Sequence, residues 1–288
     1  MSRFEVSTID YTRYSNRQLV AVPVLVLLLA LLVLVVVPPT PGIAFTGGTE
    51  LQIQTGASQA EITEAFESRV PYEVESIQQA GSGNSYLVTF QATENSEVQE
   101  ITAAAEEAGF DVQSSSSRSA SFSSESQEQA LVGIGVAFLG MSLIVFALFR
   151  TFVPSIAVVA SAFSDIVIPL ALMSLFGIKL TLGTVAALLM LIGYSVDSDL
   201  LLNNHILRRP GGFYESTYRA MRTGVTMTVT SIAAMSVMTI VSSRFVFGIP
   251  LLPEVGVVLV FGLTADLMNT YLLNVSLLRY YKYEGIAK

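Results

Sequence analysis

Cysteine and tryptophan are absent from this chain of 288 residues, and histidine occurs once, as His205. The first absence excludes disulfides, thiolate metal sites and thiol nucleophiles. A single imidazole excludes a cluster of His ligands. Without Trp, anchoring at a membrane–water interface would fall to Tyr, Lys and Arg. Charge is scarce as well: Asp, Glu, Lys and Arg make up 13% of the residues, where soluble domains carry about 25%. No phosphate-binding loop occurs, which argues against an ATPase. Nothing outside the apolar runs suggests an enzyme active site, and neither a cofactor nor a nucleic-acid partner is expected.

Apolar residues fill the gap. They make up 52% of the chain, and mean hydropathy is +0.60. A bilayer crossing takes about 20 residues, and six runs are long enough: 19–37, 130–149, 156–176, 181–202, 225–247 and 255–278. The first is too long for a signal peptide and lacks a small-residue cleavage site. Lys and Arg set the orientation. With the N-terminus inside, 11 of 15 basic residues are cytoplasmic: Arg3, Arg13, Arg17, Arg150, Arg208, Arg209, Arg219, Arg222, Arg279, Lys282 and Lys288. The two short outer loops keep one each, Lys179 and Arg244. A multi-pass protein of the cell membrane is expected, with the N-terminal stretch 1–18 and the tail 279–288 cytoplasmic and the bundle completed by 130–278.

Segment 38–129 would then lie outside. It holds 14 acidic residues against Arg69 and Arg118, so it carries −12 of a chain total of −8. That balance fits either a surface adapted to high salt or one that repels anionic surfaces. Thr49–Gln54 alternates at period two, as a half-buried strand does. Ser58 and Glu61 form a capping box that opens a helix to about residue 69. Strands at 73–78 and 85–91 flank a Gly81–Gly83 turn signal. A helix over 96–108 and a strand over 111–117 complete a βαββαβ order, which is ferredoxin-like. The Ser-rich stretch 114–126 reads as a linker, and 213–222 as an amphipathic helix on the cytoplasmic face.

Inside the apolar runs stand Asp165, Asp197, Asp199 and Asp266. Each ionised carboxylate at the bilayer centre costs about 2.5–3.5 kcal/mol, so all should face the bundle interior, pair, or carry protons. Ser161 and Ser164 neighbour Asp165, and Asn269 and Thr270 neighbour Asp266, so local hydrogen bonding is the plain alternative for both. Asp197 is favoured over Asp199, which points elsewhere on the helix. Arg222 reads either as a cytoplasmic anchor or as a partner of Asp197, and His205 as an interfacial residue. Thr223, Thr226 and Thr230, with Thr228, Ser231 and Ser236, would either line a polar interior or permit close packing.

Several of these segments resemble the SecD/SecF family of protein-export membrane subunits, in its archaeal SecF branch. They are Asp165–Pro169, the run Phe176-Gly-Ile-Lys-Leu-Thr-Leu-Gly-Thr-Val, Gly193–Asp199, Arg222–Thr226 and Asp266–Arg279. The stretch Phe45-Thr46-Gly47-Gly48, just past the first run, is similar to the family's Gly-rich signature. The resemblance implies a SecD partner, assistance to the SecYE channel, exported unfolded polypeptides as cargo, and the proton-coupled motion of the resistance–nodulation–division superfamily. By the same resemblance Asp197 and Arg222 match family residues that carry the proton step. This chain departs from bacterial relatives in having Asp197-Ser198 for Asn-Asp, Asn204-His205 for Asp-Arg, and Ala44 for Asp. Two other classes are weighed: a small-molecule exporter half of the superfamily, and an intramembrane aspartyl protease with Asp197 and Asp266 as its dyad.

Overall fold

The computed structural model describes residues 10–79, 84–208, 210–243, 246–247, 249 and 251–283. The turn expected at Gly81–Gly83, and Arg3, Arg209, Arg244 and Lys288, lie outside the described residues.

A capping box between Ser15 and Gln18 opens helix α1 (Asn16–Val36), the first of six helices among the described residues that are long and apolar enough to cross a membrane. A short helix α2 (Ile43–Thr46) leads into the four-stranded domain. Its elements are β1 (Gly48–Gln54), α3 (Gln59–Glu67), β2 (Val74–Gln79), β3 (Ser85–Phe90), α4 (Asn95–Glu107) and β4 (Asp111–Arg118). The sheet is antiparallel with order β2-β3-β1-β4. This is the ferredoxin-like plan, within one or two residues of the expected boundaries. Alternation places Leu51, Ile53 and Val88 on the face that the helices cover with Ile62, Phe66 and Ile101. Phe66 meets the Phe90 ring edge-on, with centroids 4.9 Å apart, a favoured aromatic geometry.

The remaining spans are α5 (Ala120–Phe149), α6 (Phe152–Leu175), α7 (Leu182–Arg208) and α8 (Phe213–Ser242). The sixth is built from α9 (Leu252–Met268), a π-helical turn at Asn269–Asn274, and α10 (Val275–Tyr283). Two expectations are corrected. The Ser-rich stretch 114–126 is no free linker: β4 runs through Arg118 and α5 starts at Ala120. Ser114 to Ser117 find ladder partners along β1, as the strand expected over 111–117 requires, and the helix begins two residues after the strand ends. The amphipathic segment 213–222 and the fifth span form one helix, α8, because no Pro or turn sequence interrupts it. At 30 residues α8 is about 45 Å long, more than the roughly 30 Å of hydrocarbon, so its first turns extend beyond the span itself.

Helices α6, α7 and α9 are mostly buried, whereas α1, α5 and α8 are largely exposed along their apolar lengths. Met173, Leu188, Leu191, Leu259 and Leu263 join the three inner helices. Gly262 lets α9 approach so closely that a Cβ there would collide with Leu191.

Residues after α1 hold the sheet domain against the α6–α7 loop. Gly42 N–H donates to the Leu180 carbonyl at 2.8 Å, and Leu180 N–H donates to Thr40 at 2.8 Å. Lys179 Nζ lies 3.4 Å from the Glu75 carboxylate and donates to Ser76 Oγ at 3.3 Å. The signature residues Phe45, Thr46, Gly47 and Gly48 form the turn from α2 into β1. Phe45 is buried, and Thr46 Oγ1 donates to the Gly47 carbonyl at 3.0 Å. Gly48 has φ +134°, and a Cβ there would stand 2.6 Å from the Phe90 carbonyl oxygen. Only glycine fits that turn.

Candidate functional site

Three polar ladders run through the inner helices at a spacing of four residues, which keeps each ladder on one helical face. Helix α6 carries Ser161 and Asp165; α7 carries Ser195, Asp199 and Asn203; the sixth span carries Asp266, Thr270 and Asn274. Asp165, Asp199 and Asp266 are 1%, 0% and 1% exposed. A carboxylate in hydrocarbon needs partners, and these side chains supply them to one another across three helices.

Asp165 is the best served. Ser195 Oγ donates to its Oδ2 at 2.6 Å, Asn269 Nδ2 to its Oδ1 at 2.6 Å, and Ser161 reaches Oδ2 at 3.5 Å. Asp199 Oδ1 accepts from Thr270 Oγ1 at 2.9 Å and from Asn274 Nδ2 at 2.8 Å. Asp266 Oδ1 accepts from Ser198 Oγ at 2.8 Å, and Thr270 Oγ1 stands 3.4 Å from it. One hydroxyl, that of Thr270, therefore sits between two carboxylates with a single hydrogen to give.

The remaining oxygens are unserved. Asp199 Oδ2, Asp266 Oδ2, Asn269 Oδ1, Asn274 Oδ1 and Asn203 Oδ1 are buried without a hydrogen-bond partner among the described residues. Native interiors leave few such groups, and each costs about 1–3 kcal/mol. Among the described residues no ion pair reaches the three carboxylates. Nor is any group of three or more His, Cys, Asp or Glu among them arranged to hold a metal ion.

The π-helical turn is what lets the sixth span contribute so much. The Val275 N–H bonds the Thr270 carbonyl, five residues back. The wider turn brings Asn269 to Asp165 while Thr270 and Asn274 reach Asp199. Such turns recur at functional positions in helices. Two contacts brace this one. The Tyr11 hydroxyl donates to the Tyr271 carbonyl at 2.9 Å. The Tyr271 ring packs so close to α8 that a Cβ on Gly224 would collide with its hydroxyl.

Placement of the other expected residues is mixed. Asp197 is exposed and lines a cleft of ≈ 390 Å³ between α5 and α7 with Leu148, Phe149, Asn204 and Arg208. The helix turns Asp199, two residues on, into the bundle and Asp197 out of it. Arg222 is exposed on α8, and no ion pair joins it to Asp197 among the described residues. Thr223, Thr226 and Thr230 are exposed rather than interior, and each donates to a carbonyl four residues back on its own helix. Of that set Thr228 is buried, within 3.2 Å of the Tyr194 hydroxyl. Asn269 bonds Asp165 and not its neighbour Asp266. His205, expected at an interface, is 6% exposed, with Nδ1 2.8 Å from the Leu201 carbonyl. Ser195, Ser198, Asn203 and Asn274 were not expected in the site. The period-four spacing of Ser195-Asp199-Asn203 and Asp266-Thr270-Asn274 was the available signal, and Asp197 has no such polar neighbours.

Comparison with known proteins agrees with this architecture. Residues 97–284 match the family model described as protein export membrane protein SecD/SecF, C-terminal. The chain is 62% identical over 294 residues to the protein-export membrane protein SecF of Haloferax volcanii, covering 100% of both chains. It is 61% identical over 297 residues to that of Haloquadratum walsbyi, again covering 100% of both. Among solved structures it is similar to SecDF, a translocon-associated membrane protein from Thermus thermophilus, with TM-score 0.75 and 18% identity. That match covers 96% of this chain and 39% of the SecDF chain, a likeness of fold. With a family match over the bundle and relatives of this identity along its whole length, the chain belongs to the SecD/SecF family of protein-export membrane proteins.

Proposed function

We propose that this chain acts as a SecF-type subunit which pairs with SecD and assists protein passage through the SecYE channel of the cell membrane. In this reading both termini are cytoplasmic, and the acidic ferredoxin-like domain stands outside, where it meets emerging unfolded polypeptide. Ion movement through intramembrane carboxylates, protons in the first instance, drives or resets that domain. The observation that carries the reading is the cluster of Asp165, Asp199 and Asp266, buried in a bundle whose α6–α7 loop holds the sheet domain. Buried acids without a basic partner are costly to keep. Their cost is repaid if they change state during a working cycle.

The domain's attachment supports transmission. Strand β2 is tied through Glu75 and Ser76 to Lys179, on the loop between the helices that carry Asp165 and Asp199. A shift between α6 and α7 would reach the sheet directly. Asp197 and Arg222, exposed on this chain, would act at a surface where a second six-helix half packs.

Co-purification and an export assay test the reading. A 1:1 complex with SecD is expected, with slowed secretion in cells carrying Asp199→Asn, Asp197→Asn or Arg222→Ala at normal protein levels. Secretion at the normal rate in all three would remove ion coupling from the function. Absence of SecD from the purified complex would remove the partnership.

A further inference from the structure

One side chain from the stretch before α1 reaches into the sixth span. Asp10, Thr12, Arg13 and Tyr14 are exposed, and Tyr11 among them is 0% exposed. Its ring enters the cluster that holds Leu202, Met221, Val275 and Leu278. The backbone on either side is clamped by the sixth span itself. Arg279 Nη1 donates to the Tyr11 carbonyl at 2.7 Å, and Nη2 donates to the Tyr14 carbonyl at 3.0 Å. A planar, always-charged fork on two carbonyls fixes both the place and the angle of this segment. The phenol is thereby delivered to one point, the Tyr271 carbonyl, to which its hydroxyl donates at 2.9 Å.

That carbonyl is the one from which the π turn withdraws a donor. In an α-helix the Val275 N–H would serve Tyr271, four residues back; here it serves Thr270 instead. Tyr271 is buried, and a buried carbonyl needs a donor. We propose that Tyr11 is a positioning residue for the polar centre: its hydroxyl replaces the withdrawn amide and holds the sixth span in π register. Register decides the site. Asn269 bonds Asp165 on α6, and Asn274 bonds Asp199 on α7. One residue of register turns a helix by about 100°. Helix α9 is locked against Leu191 at Gly262, so closing the turn to α swings the short α10 and takes Asn274 from Asp199. The register rests on these hydrogen bonds alone; only its value to export rests on the ion-coupled reading.

Asn274-Val275 is the one Asn–Val step in the sequence. The full chain in detergent, with carbonyl-labelled Asn and nitrogen-labelled Val, therefore gives a single carbonyl-filtered amide signal, that of Val275. Tyr11→Phe keeps the ring and removes the hydroxyl, whereas Met221→Leu alters the same pocket and leaves the Tyr271 carbonyl served. The Val275 signal is expected to move severalfold further in the first than in the second. Thermal unfolding adds a cycle with Asn274→Ala. The double variant with Tyr11→Phe is expected to lose clearly less than the two single losses added, because a closed turn has already parted Asn274 from Asp199. Should Tyr11→Phe prove too unstable to label, Arg279→Lys, which releases the fork and spares the phenol, is expected to move the same signal. A Val275 signal that shifts no more in Tyr11→Phe than in Met221→Leu would overturn the proposal, and so would additive losses. A moved signal alongside normal export in Asp199→Asn would uphold the positioning and sink the ion-coupled reading.

Discussion

The sheet domain and the helix bundle are built inside out with respect to each other. In the domain, Leu51, Ile53, Phe66, Val88 and Phe90 fill the centre while acidic residues face outward. In the bundle, Asp165, Asp199 and Asp266 with Asn269, Thr270 and Asn274 lie at the centre, and Leu28, Leu32, Val35, Leu139 and Leu143 stand exposed. The solvent explains the reversal. Water rewards burial of apolar area, whereas lipid is as apolar as leucine, leaving packing and polar contacts to hold helices together. One consequence is that the domain loses stability when a large side chain is trimmed, and the bundle when a donor is removed.

The largest effect is expected at the domain core. Phe66→Ala should cost about 3–5 kcal/mol by removing a fully buried ring. Loss of protease resistance confined to 48–118 would register it, and a loss below 1 kcal/mol would undo the contrast. In the bundle, Gly224→Val should cost about 1–3 kcal/mol through overpacking against Tyr271. Lowered thermal unfolding by circular dichroism is the measurement, and an unchanged midpoint would mean α8 and the π turn are not in contact. Asn269→Ala, which strips a donor from Asp165, should cost about 1–3 kcal/mol, while Asn269→Asp in place of the amide should be worse still. If Asn269→Ala unfolds at the wild-type temperature, the polar centre does not support the fold.

Smaller effects belong to the surface. Lys179→Ala should remove at most about 1 kcal/mol, and less in high salt, because its pair with Glu75 is partly exposed. A loss that persists in concentrated salt would point to packing instead of charge. Glu61 is held below the usual carboxylate range by the Ser58 N–H and hydroxyl. A depressed folded value means that the stabilisation is present above the unfolded pKa and is lost as pH falls through the folded one. Carbon-detected titration of Glu61 should move back toward the ordinary value in Ser58→Ala, and an identical curve would assign the shift elsewhere.

How much of this was legible beforehand differs between the regions. In the domain, period-two alternation at Thr49–Gln54 and the Ser58–Glu61 capping box led to the correct strands and helices. Local signals sufficed there because each strand has one wet face. The spans were equally plain from length and apolarity. Their facing was not. Asp197 and Asp199 are both acids in one apolar helix, and which of them turns inward depends on where α6 and α9 sit. The Ser-rich stretch misled only past the strand expected over 111–117: by composition 120–126 reads as linker, yet it opens α5.

Composition and periodicity alone decided that this chain crosses a membrane six times and carries one small α/β domain, since bilayer thickness and strand alternation act on every residue locally. Family membership was likewise written in short motifs. What only the packed structure decided is the membership of the polar centre: Asp199 in place of Asp197, Asn269 on Asp165, and the π turn that brings Thr270 and Asn274 to the same carboxylate. A helix presents faces all round in its sequence, and only its neighbours determine which of them meets lipid.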